Sequence, residues 1–486
     1  MRVIVIGAGV GGLCAAIRLA TAGHDVSILE RNAVTGGKLA TLTEAGHTFD
    51  LGPTLLTLPH VLDDVFRLAA TTLADEVELV RLDPQFHYRW PNGGTLDLPD
   101  DPTATANAVD GLSSGEGANW ERFAAHTRRI WEVSERTFLA GPMSSPLSLV
   151  GRMRSPLDLG RIDGRRTLAD LASSTFDDPR LRQLVGRYAT YSGSSPYRVP
   201  ATLACISHVE QEYGCWHVTG GLGRIGDALE RVARRVGVDL RIGVDVGRIA
   251  TARRQVTGVE LADGGSEPAD LVVSNADAAH LYTDLLPDPK RAKEIDRVGR
   301  SMSAFVVCAA VRGRTDGVAR HPIAHHNVFF SLDDEREFRF LTGGQTPVDP
   351  TVYACVPSVT DPTMAPPGYE SWTLLVNTPH SVGIDRKLMT AAVLNRLAER
   401  GVDLRDRIEF TRTLVPADID ARYRAPGGSI YGTSSNGRRA AFARPGNVGP
   451  VDGLYLVGGS AHPGGGLPMV ATSARIVADL VTDRHA

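Results

Sequence analysis

Val3-Ile4-Val5-Ile6-Gly7-Ala8-Gly9-Val10-Gly11-Gly12 is the stretch that decides the fold of this chain. Its four leading apolar residues predict a short strand that is buried on both faces. Leu13 to Ala22 then shows helical periodicity, Gly23 ends the helix, and Val26 to Glu30 predicts a second strand. A strand, a glycine-rich turn, a helix and a second strand in this order indicate a doubly wound α/β fold.

The turn has the spacing of a dinucleotide-binding site. Gly7, Gly9 and Gly12 form the pattern G-x-G-x-x-G, and Gly11 lies within the same turn. In this pattern the glycines allow a tight turn, a close approach of backbone to pyrophosphate and close packing of helix on strand. The amino terminus of the helix offers free N–H groups to phosphate. Glu30 ends the second strand, where an acid accepts hydrogen bonds from a ribose diol.

Three further stretches favour FAD over NAD. Arg31 leads into Gly36-Gly37-Lys38, and Gly52-Pro53-Thr54 follows soon after. Gly458 to Met469 forms a second glycine-rich loop near the carboxy terminus. Together they resemble the flavin sites shared by amine oxidases, protoporphyrinogen oxidases and carotenoid desaturases. Beside the first turn and Glu30, the resemblance assigns to FAD binding Arg31, Gly36, Gly37, Lys38, Gly52, Pro53, Thr54, Val246, Gly458, Gly459, Ser460, Gly466, Leu467 and Met469.

Several landmarks narrow the resemblance to the bacterial-type carotenoid desaturases. They run through most of the chain and comprise Leu271 to Asp277, Ala189-Thr190-Tyr191-Ser192-Gly193, Ala324 to Ser331, and Cys355 to Pro367. Gly459-Ser460 before His462-Pro463 is closer to the hydroxycarotenoid 3,4-desaturase branch. The resemblance implies an FAD-dependent oxidoreductase that introduces C=C bonds into an acyclic carotenoid or related isoprenoid by hydride transfer to flavin N5. Oxygen or a quinone would reoxidise the flavin.

Two other functions remain open at this point. A carotenoid cis-trans isomerase or saturase would use the same fold and flavin. A non-catalytic protein that binds prenyl lipids would use the same fold with a degenerate flavin site, and the intact glycine set argues against it.

The catalytic residues are less defined by the sequence. His462 is the candidate for assisting proton loss, and a hydrogen bond to the loop backbone is the alternative. His325 and His326 are adjacent, so on a strand they are expected to point to opposite faces and not to share a metal. No metal is therefore predicted. His217 and Glu212 are expected to face solvent.

Composition excludes some classes of protein. The net charge of −4 argues against nucleic-acid binding. Five scattered cysteines suit a reducing compartment, and strand-like sequence from Arg2 leaves no room for a signal peptide. The longest apolar run, Ala304 to Val311, is shorter than the roughly 20 residues of a membrane span. These features predict a cytoplasmic protein.

The chain is expected to form two domains. Residues 1–75, 205–290 and 425–486 are assigned to an FAD-binding domain, assembled from separate segments. Residues 76–204 and 291–424 are assigned to a mixed α+β substrate domain with a helical subregion at about 100–200. Within it, Phe138 to Ile162 interleaves apolar side chains with Arg152, Arg154 and Arg161, which suits peripheral association with the inner face of the cell membrane. A helix pair packed on the second domain is the alternative.

Overall fold

A five-stranded parallel sheet carries the glycine-rich turn. The computed structural model describes residues 1–143, 148, 151–315, 322–438 and 440–485. The strands stand in the spatial order Leu454–Leu456, Leu271–Ser274, Arg2–Ile6, Asp25–Glu30 and Asp239–Ile242. Because Arg2–Ile6 lies in the middle, its side chains are buried from Val3 onward, as expected for a strand covered on both faces.

Helices cover one face of this sheet, and a small antiparallel sheet covers the other. Val10–Thr21, Gly223–Arg235 and Leu467–His485 pack together on the first face around Val5 and Ile28. On the second face lie the strands Val246–Ala252, Gln255–Leu261 and Ser266–Pro268. The predicted α/β class and its parallel sheet are confirmed.

One predicted strand pairing is wrong. The apolar runs Val256 to Leu261 and Leu271 to Val273, with the turn Asp263-Gly264-Gly265 between them, predict a hairpin. In the structure Gln255–Leu261 pairs with Ser266–Pro268, whereas Leu271–Ser274 runs parallel to Arg2–Ile6. The reason is burial, because all four residues of Leu271–Ser274 are buried and thus suit a central parallel strand.

A seven-stranded mixed sheet forms a second framework. Its spatial order is Ile408–Leu414, Ser303–Arg312, Tyr369–Thr378, Val352–Cys355, His326–Phe329, Phe86–Arg89 and Thr95–Leu98. Every neighbouring pair is antiparallel except His326–Phe329 with Phe86–Arg89, which run parallel. Ser303–Arg312 is buried along nearly its whole length because strands flank it on both sides.

A helical region covers one end of the seven-stranded sheet. Its core joins Trp120, Phe123 and Phe176 to Phe86 and Tyr88 of the sheet. The helices of this region are Pro102–Leu112, Glu116–Ser134, Asp158–Arg161, Leu168–Thr175, Pro179–Arg187 and Cys205–Tyr213, with a π-helical turn at Glu135–Leu139 and 3₁₀ turns at Tyr188–Ser192 and Ala201–Ala204. The helical character expected for residues of about 100–200 is therefore present in the structure.

Shorter elements connect the two frameworks. Thr41–Glu44 and His47–Asp50 form a hairpin, and Leu79–Arg81 pairs with Trp216–Val218. The remaining helices are Pro59–Arg67, Leu73–Glu76, Ala278–His280, Pro289–Val298, Asp334–Thr342, Arg386–Glu399, Pro416–Tyr423 and Ala440–Ala443. The described part of the chain has no helix with the length and apolar character needed to cross a bilayer.

Candidate flavin and substrate site

The glycine-rich turn is shaped by contacts that leave no room for side chains. Gly7 has a φ of +94°, in the left-handed region that favours glycine. A Cβ on Gly12 would lie 2.0 Å from the carbonyl oxygen of Gly7. Gly36 forms a bridge with Gly9, and a Cβ on Gly37 would lie 3.0 Å from the Cα of Gly9. Two predicted pyrophosphate segments therefore meet, backbone against backbone.

Glu30 holds this turn to the end of the second strand. One carboxylate oxygen accepts a hydrogen bond of 2.7 Å from the backbone N–H of Ala8. The other accepts from the backbone N–H and side-chain amide of Asn32, at 2.8 and 2.7 Å. The carboxylate oxygens have further lone pairs for the ribose diol. The strand that begins at Val246 lies close by, since the N–H of Val244 donates to the carbonyl of Glu30 at 2.9 Å.

The carboxy-terminal loop reaches the same turn through Asn275. A Cβ on Gly458, which has a φ of +97°, would lie 2.5 Å from Oδ1 of Asn275, and one on Gly11 would lie 2.6 Å from it. The hydroxyl of Ser460 accepts a hydrogen bond of 2.9 Å from the backbone N–H of Ala278. Asn275 lies beneath the glycine turn and contacts it. The sequence did not predict this contact, because Asn275 looks like an ordinary residue at the end of a strand.

Arg444 fixes the position of this loop. Its guanidinium donates to the carbonyls of Gly459, Tyr431 and Thr433 at 2.8 to 2.9 Å. Burial lowers the pKa of Arg444 to about 10, and the side chain remains a cation at neutral pH. After the residues that Arg444 contacts, the predicted flavin residues Gly466, Leu467 and Met469 lie at the start of the helix Leu467–His485.

The two predicted cations of the flavin site bond to backbone carbonyls. Lys38 donates through Nζ to the carbonyl of Ile430 at 2.6 Å. Arg31 donates to the carbonyls of Ala421 and Arg422 at the end of the helix Pro416–Tyr423. These contacts tie the flavin segments to residues 421–430, and direct contact of either cation with FAD remains a prediction.

The predicted flavin segments therefore converge around one cradle. A Cβ on Gly52 would lie 1.8 Å from the carbonyl oxygen of Lys38. The segment Gly52-Pro53-Thr54 therefore lies directly against the segment Gly36-Gly37-Lys38. The cradle offers free N–H groups at the start of Val10–Thr21, an acid at the ribose position and close backbone approach. This arrangement fits FAD.

His462 tethers the carboxy-terminal loop to the helical region. Its Nε2 donates to the carbonyl of Phe138 at 2.9 Å, and Arg475 donates to the neighbouring carbonyl of Leu139 at 2.7 Å. Burial lowers the pKa of His462 to about 4, so the imidazole is neutral at physiological pH. This contact agrees with the alternative of a backbone hydrogen bond, and a proton-transfer role for His462 remains a prediction.

The expectation that His325 and His326 point apart is wrong. Their ring centroids lie 4.6 Å apart, and one ligand atom from each lies within 4.8 Å of the other and of a ligand atom of Cys355. The strand begins at His326. Side-chain alternation along a strand therefore does not apply to His325, which precedes it.

The solvent-facing expectation for His217 is also wrong, whereas that for Glu212 is confirmed. His217 is 1% exposed, its ring lies 4.7 Å from that of His325, and its Nε2 lies 3.1 Å from a carboxylate oxygen of Asp361. Glu212 is exposed. His217 is buried because its strand, Trp216–Val218, pairs with Leu79–Arg81 and packs beneath other elements.

A polar cage lies next to the third flavin segment. The hydroxyls of Thr54 and Tyr353 are 2.6 Å apart, and the Tyr353 hydroxyl lies 2.8 Å from Nδ1 of His326. The guanidinium of Arg187 stands over three aromatic rings, with the carbon atom Cζ 5.3 to 5.7 Å from the ring centroids of Phe86, Tyr191 and Tyr353. We use the name Arg187 cage for Arg187 and these three rings.

Arg187 is held by aromatic rings and not by a carboxylate. Among the described residues its guanidinium has neither an ion pair nor a hydrogen-bond partner, although Glu210 is close enough to raise its pKa together with Tyr191 and Tyr88. The side chain of Arg187 is half-buried and lies beside the ring of Tyr353, whose hydroxyl contacts Thr54. Arg187, which lies two residues before the Ala189 to Gly193 landmark, was not predicted as a site residue.

Comparison with known proteins identifies the class. The family model described as flavin containing amine oxidoreductase matches residues 10–482. The chain therefore belongs to this family, and it is an FAD-dependent oxidoreductase. The predicted cofactor and enzyme class are confirmed.

Curated relatives place the chain in one branch of this family. It is 36% identical over 487 residues to the hydroxyneurosporene desaturase of Cereibacter sphaeroides, covering 99% of this chain and 97% of the relative. It is 35% identical over 498 residues to the 4,4'-diapolycopene oxygenase of a Methylomonas species, covering 99% of this chain and 98% of the relative. The branch is thus the one that contains carotenoid desaturases and oxygenases, and the predicted family is confirmed.

Solved structures share the fold. An oxidoreductase from Methanosarcina mazei gives a TM-score of 0.66 at 20% identity, covering 99% of this chain and all of the other. Putrescine oxidase bound to putrescine gives a TM-score of 0.66 at 14% identity, covering 100% of this chain and 99% of the other.

Proposed function

We propose that the chain introduces a C=C bond into an acyclic carotenoid that carries oxygen near one end. The observation that carries the proposal is the Arg187 cage. It places a cation among three aromatic rings, and the hydroxyl of one of them, Tyr353, contacts Thr54 of the predicted flavin segment. Among the described residues, no hydrogen bond or ion pair occupies the guanidinium donors.

The cage supports a substrate that is apolar along its length and polar at its end. Aromatic walls suit a polyene, because stacked and edge-on rings contact a flat conjugated chain over a large area. A guanidinium with unused donors suits a hydroxyl or carbonyl oxygen, since a buried cation without a partner is costly. Because Thr54 and the cage are neighbours, such an anchor would place bonds near the end of the chain by the flavin. The relative named hydroxyneurosporene desaturase supports the same substrate class.

The chemistry requires a hydride acceptor and exclusion of water. Bound FAD supplies a two-electron acceptor at N5, a capacity that protein side chains lack. One carbon of the substrate loses a hydride, the adjacent carbon loses a proton, and a C=C bond forms between them. The protein aligns the chain and keeps water out. Oxygen or a quinone as the final electron acceptor, and His462 as an aid to proton loss, are part of the proposal.

A second candidate is oxidation at the end of the polyene. It is favoured by the 35% and 34% identity to proteins named 4,4'-diapolycopene oxygenase and 4,4'-diaponeurosporene oxygenase. A polar anchor near the flavin is compatible with a terminal oxygen that forms during the reaction. The isomerase or saturase alternative differs from both in its net chemistry, so product mass separates all of them.

The test is anaerobic mixing of the flavin-loaded protein with liposomes that carry neurosporene or a 1-hydroxylated acyclic carotenoid. Flavin bleaching is followed by absorbance, and the molecular masses of the extracted products are determined by mass spectrometry. Bleaching with the hydroxylated substrate and a product two hydrogens lighter supports the proposal. A product that gains oxygen once air is admitted favours terminal oxidation. Flavin that stays oxidised while the substrate isomerises contradicts both.

The proposal includes binding to a membrane surface, from which a water-insoluble substrate is collected. Leu157 and Leu159 are 68% and 51% exposed, and Arg154 is exposed beside them. Arg152 instead turns inward and donates to the carbonyl of Pro142 at 2.7 Å. The predicted anchors Leu147, Leu149 and Val150 lie outside the described residues.

Co-sedimentation with anionic liposomes tests membrane binding. Leu157→Glu combined with Leu159→Glu should reduce the bound fraction severalfold, because two exposed apolar anchors would be replaced by charges that the anionic surface repels. Leu388→Glu is the matched control, since Leu388 is 71% exposed elsewhere on the surface. Equal binding of both variants would contradict the proposal.

A further inference from the structure

Two imidazoles and a thiol meet in the interior, close to the Arg187 cage. His325 and Cys355 are each 3% exposed, and His326 is fully buried. One ligand atom from each lies within 4.8 Å of the others. His326 and Cys355 are direct partners on neighbouring antiparallel strands, which fixes their relative position. We call these three residues the His-His-Cys cluster.

Each imidazole of the cluster contacts a hydroxyl through Nδ1, whereas its Nε2 has no hydrogen-bond partner among the described residues. Nδ1 of His326 lies 2.8 Å from the hydroxyl of Tyr353, and Nδ1 of His325 lies 3.0 Å from the hydroxyl of Thr360. Across the described residues, neither Nε2 atom has a hydrogen-bond partner. A hydroxyl that accepts from Nδ1–H leaves a lone pair on Nε2, and histidine ligands in metal sites are oriented by the same kind of second contact. Two buried unpartnered nitrogens require a partner to offset their desolvation.

The donor set defines the class of ligand. Two imidazole nitrogens and a thiolate select a borderline transition-metal ion such as Zn²⁺ over hard cations such as Mg²⁺ or Ca²⁺. Burial and the nearby Asp50 carboxylate both raise the pKa of the Cys355 thiol in the absence of metal. The charge of Asp50 would offset part of the charge of a bound cation.

We propose that His325, His326 and Cys355 bind one divalent transition-metal ion of the zinc type. Such a site revises the expectation, drawn from strand alternation, that the two histidines cannot share a metal. Binding would release the thiol proton of Cys355 to solvent and leave every oxidation state unchanged. Because Tyr353 contacts both His326 and Thr54, the ion would brace the wall of the flavin and substrate cavity.

The metal content of the flavin-loaded protein tests this proposal without any substrate. The protein is produced in minimal medium with Zn²⁺, or with Co²⁺ as the probe, and dialysed against a weak chelator. About one equivalent of zinc per chain is expected from a single three-donor site. The cobalt form should show the thiolate-to-cobalt charge-transfer band that reports a cysteine ligand. Less than a tenth of this zinc content, on the order of background, together with no cobalt band, would overturn the proposal.

Variants separate this site from chance binding elsewhere. Cys355→Ser should abolish the charge-transfer band, and His326→Gln should lower retained zinc at least tenfold, on the order expected for loss of a ligand. Cys308→Ser is the matched control, because Cys308 is an equally buried thiol outside the cluster and should leave both readouts unchanged. Flavin content shows whether each variant has folded. Metal that persists in the doubly substituted protein, His326→Gln with Cys355→Ser, would contradict the assignment.

Discussion

The flavin cradle and the Arg187 cage are built by opposite means. The cradle is made of backbone atoms, and a single added Cβ at Gly12 would lie 2.0 Å from a carbonyl oxygen. The cage is made of side chains, in which Arg187 from the helical region meets Phe86 and Tyr353 from the seven-stranded sheet. A backbone site tolerates almost no substitution, whereas a side-chain site can change its ligand by replacing one residue. The first suits a constant cofactor and the second a variable substrate.

The largest effect is expected at the cradle. Gly12→Ala should abolish flavin binding and destabilise the protein by about 3 kcal/mol or more, since the new Cβ would collide with the Gly7 carbonyl and push the helix away from the strand. The ratio of flavin to protein absorbance and urea denaturation measure both effects. Gly111→Ala is the control, because Gly111 is helical with open space around it, and alanine there should be neutral or stabilising. Normal flavin content in Gly12→Ala would show that the cradle is less rigid than its contacts indicate.

A loss of stability at acidic pH is expected at His462, which ties the carboxy-terminal flavin loop to the helical region. Burial lowers the pKa of His462 from 6.5 to about 4, so the unfolded chain binds a proton more readily than the folded one. Stability should therefore fall as the pH decreases from about 6.5 to 4, by up to about 3 kcal/mol from this residue. His462→Gln keeps a donor for the Phe138 carbonyl and has no such titration.

Urea denaturation across this pH range measures the difference. His462→Gln should be close to the wild type at about pH 7 and lose less stability on acidification. His325 and His326 also have lowered pKa values, so part of the acid sensitivity should remain. If the free energy of unfolding falls with pH equally in the variant and the wild type, the acid sensitivity does not come from His462.

The Arg187 cage should affect substrate choice without affecting the flavin. Arg187→Met keeps an unbranched apolar stem and removes the charged guanidinium, which should lower kcat/KM for an oxygen-bearing carotenoid about 10- to 100-fold, as for loss of a charge-assisted hydrogen bond. The hydrocarbon analogue should be affected little. Arg128→Met is the control, because Arg128 is exposed on the surface of the helical region. An equal loss with both substrates would assign Arg187 a structural role.

The smallest effect is expected at Ser460. Ser460→Ala removes the hydroxyl that accepts from the N–H of Ala278 and should cost about 1 kcal/mol, with flavin still bound. Ser460→Thr keeps the acceptor and should recover most of this loss. Urea denaturation with a parallel measurement of flavin content distinguishes the two. Loss of flavin in Ser460→Ala would show that the hydroxyl contacts the cofactor as well as Ala278.

The same contrast explains what the sequence could reveal. The glycine turn and Glu30 are local, since their spacing along the chain fixes their spacing in the fold, and the α/β class and dinucleotide binding followed from them. The Arg187 cage joins residues 86, 187, 191 and 353, whose proximity depends on how the helical region packs on the seven-stranded sheet. The burial of His217 and the pairing of Leu271–Ser274 likewise depend on elements distant along the chain. Sequence patterns carry little information about such contacts.

The parallel sheet has a consequence for the order in which the protein can fold. Its edge strand Leu454–Leu456 and the helix Leu467–His485, which packs on Val10–Thr21, are synthesised long after the strand that leads into the glycine turn. Contacts of such wide sequence separation form slowly. Part of the apolar face of Val10–Thr21 therefore stays uncovered until Leu467–His485 has been synthesised, and during this interval the nascent protein is open to aggregation and to chaperones.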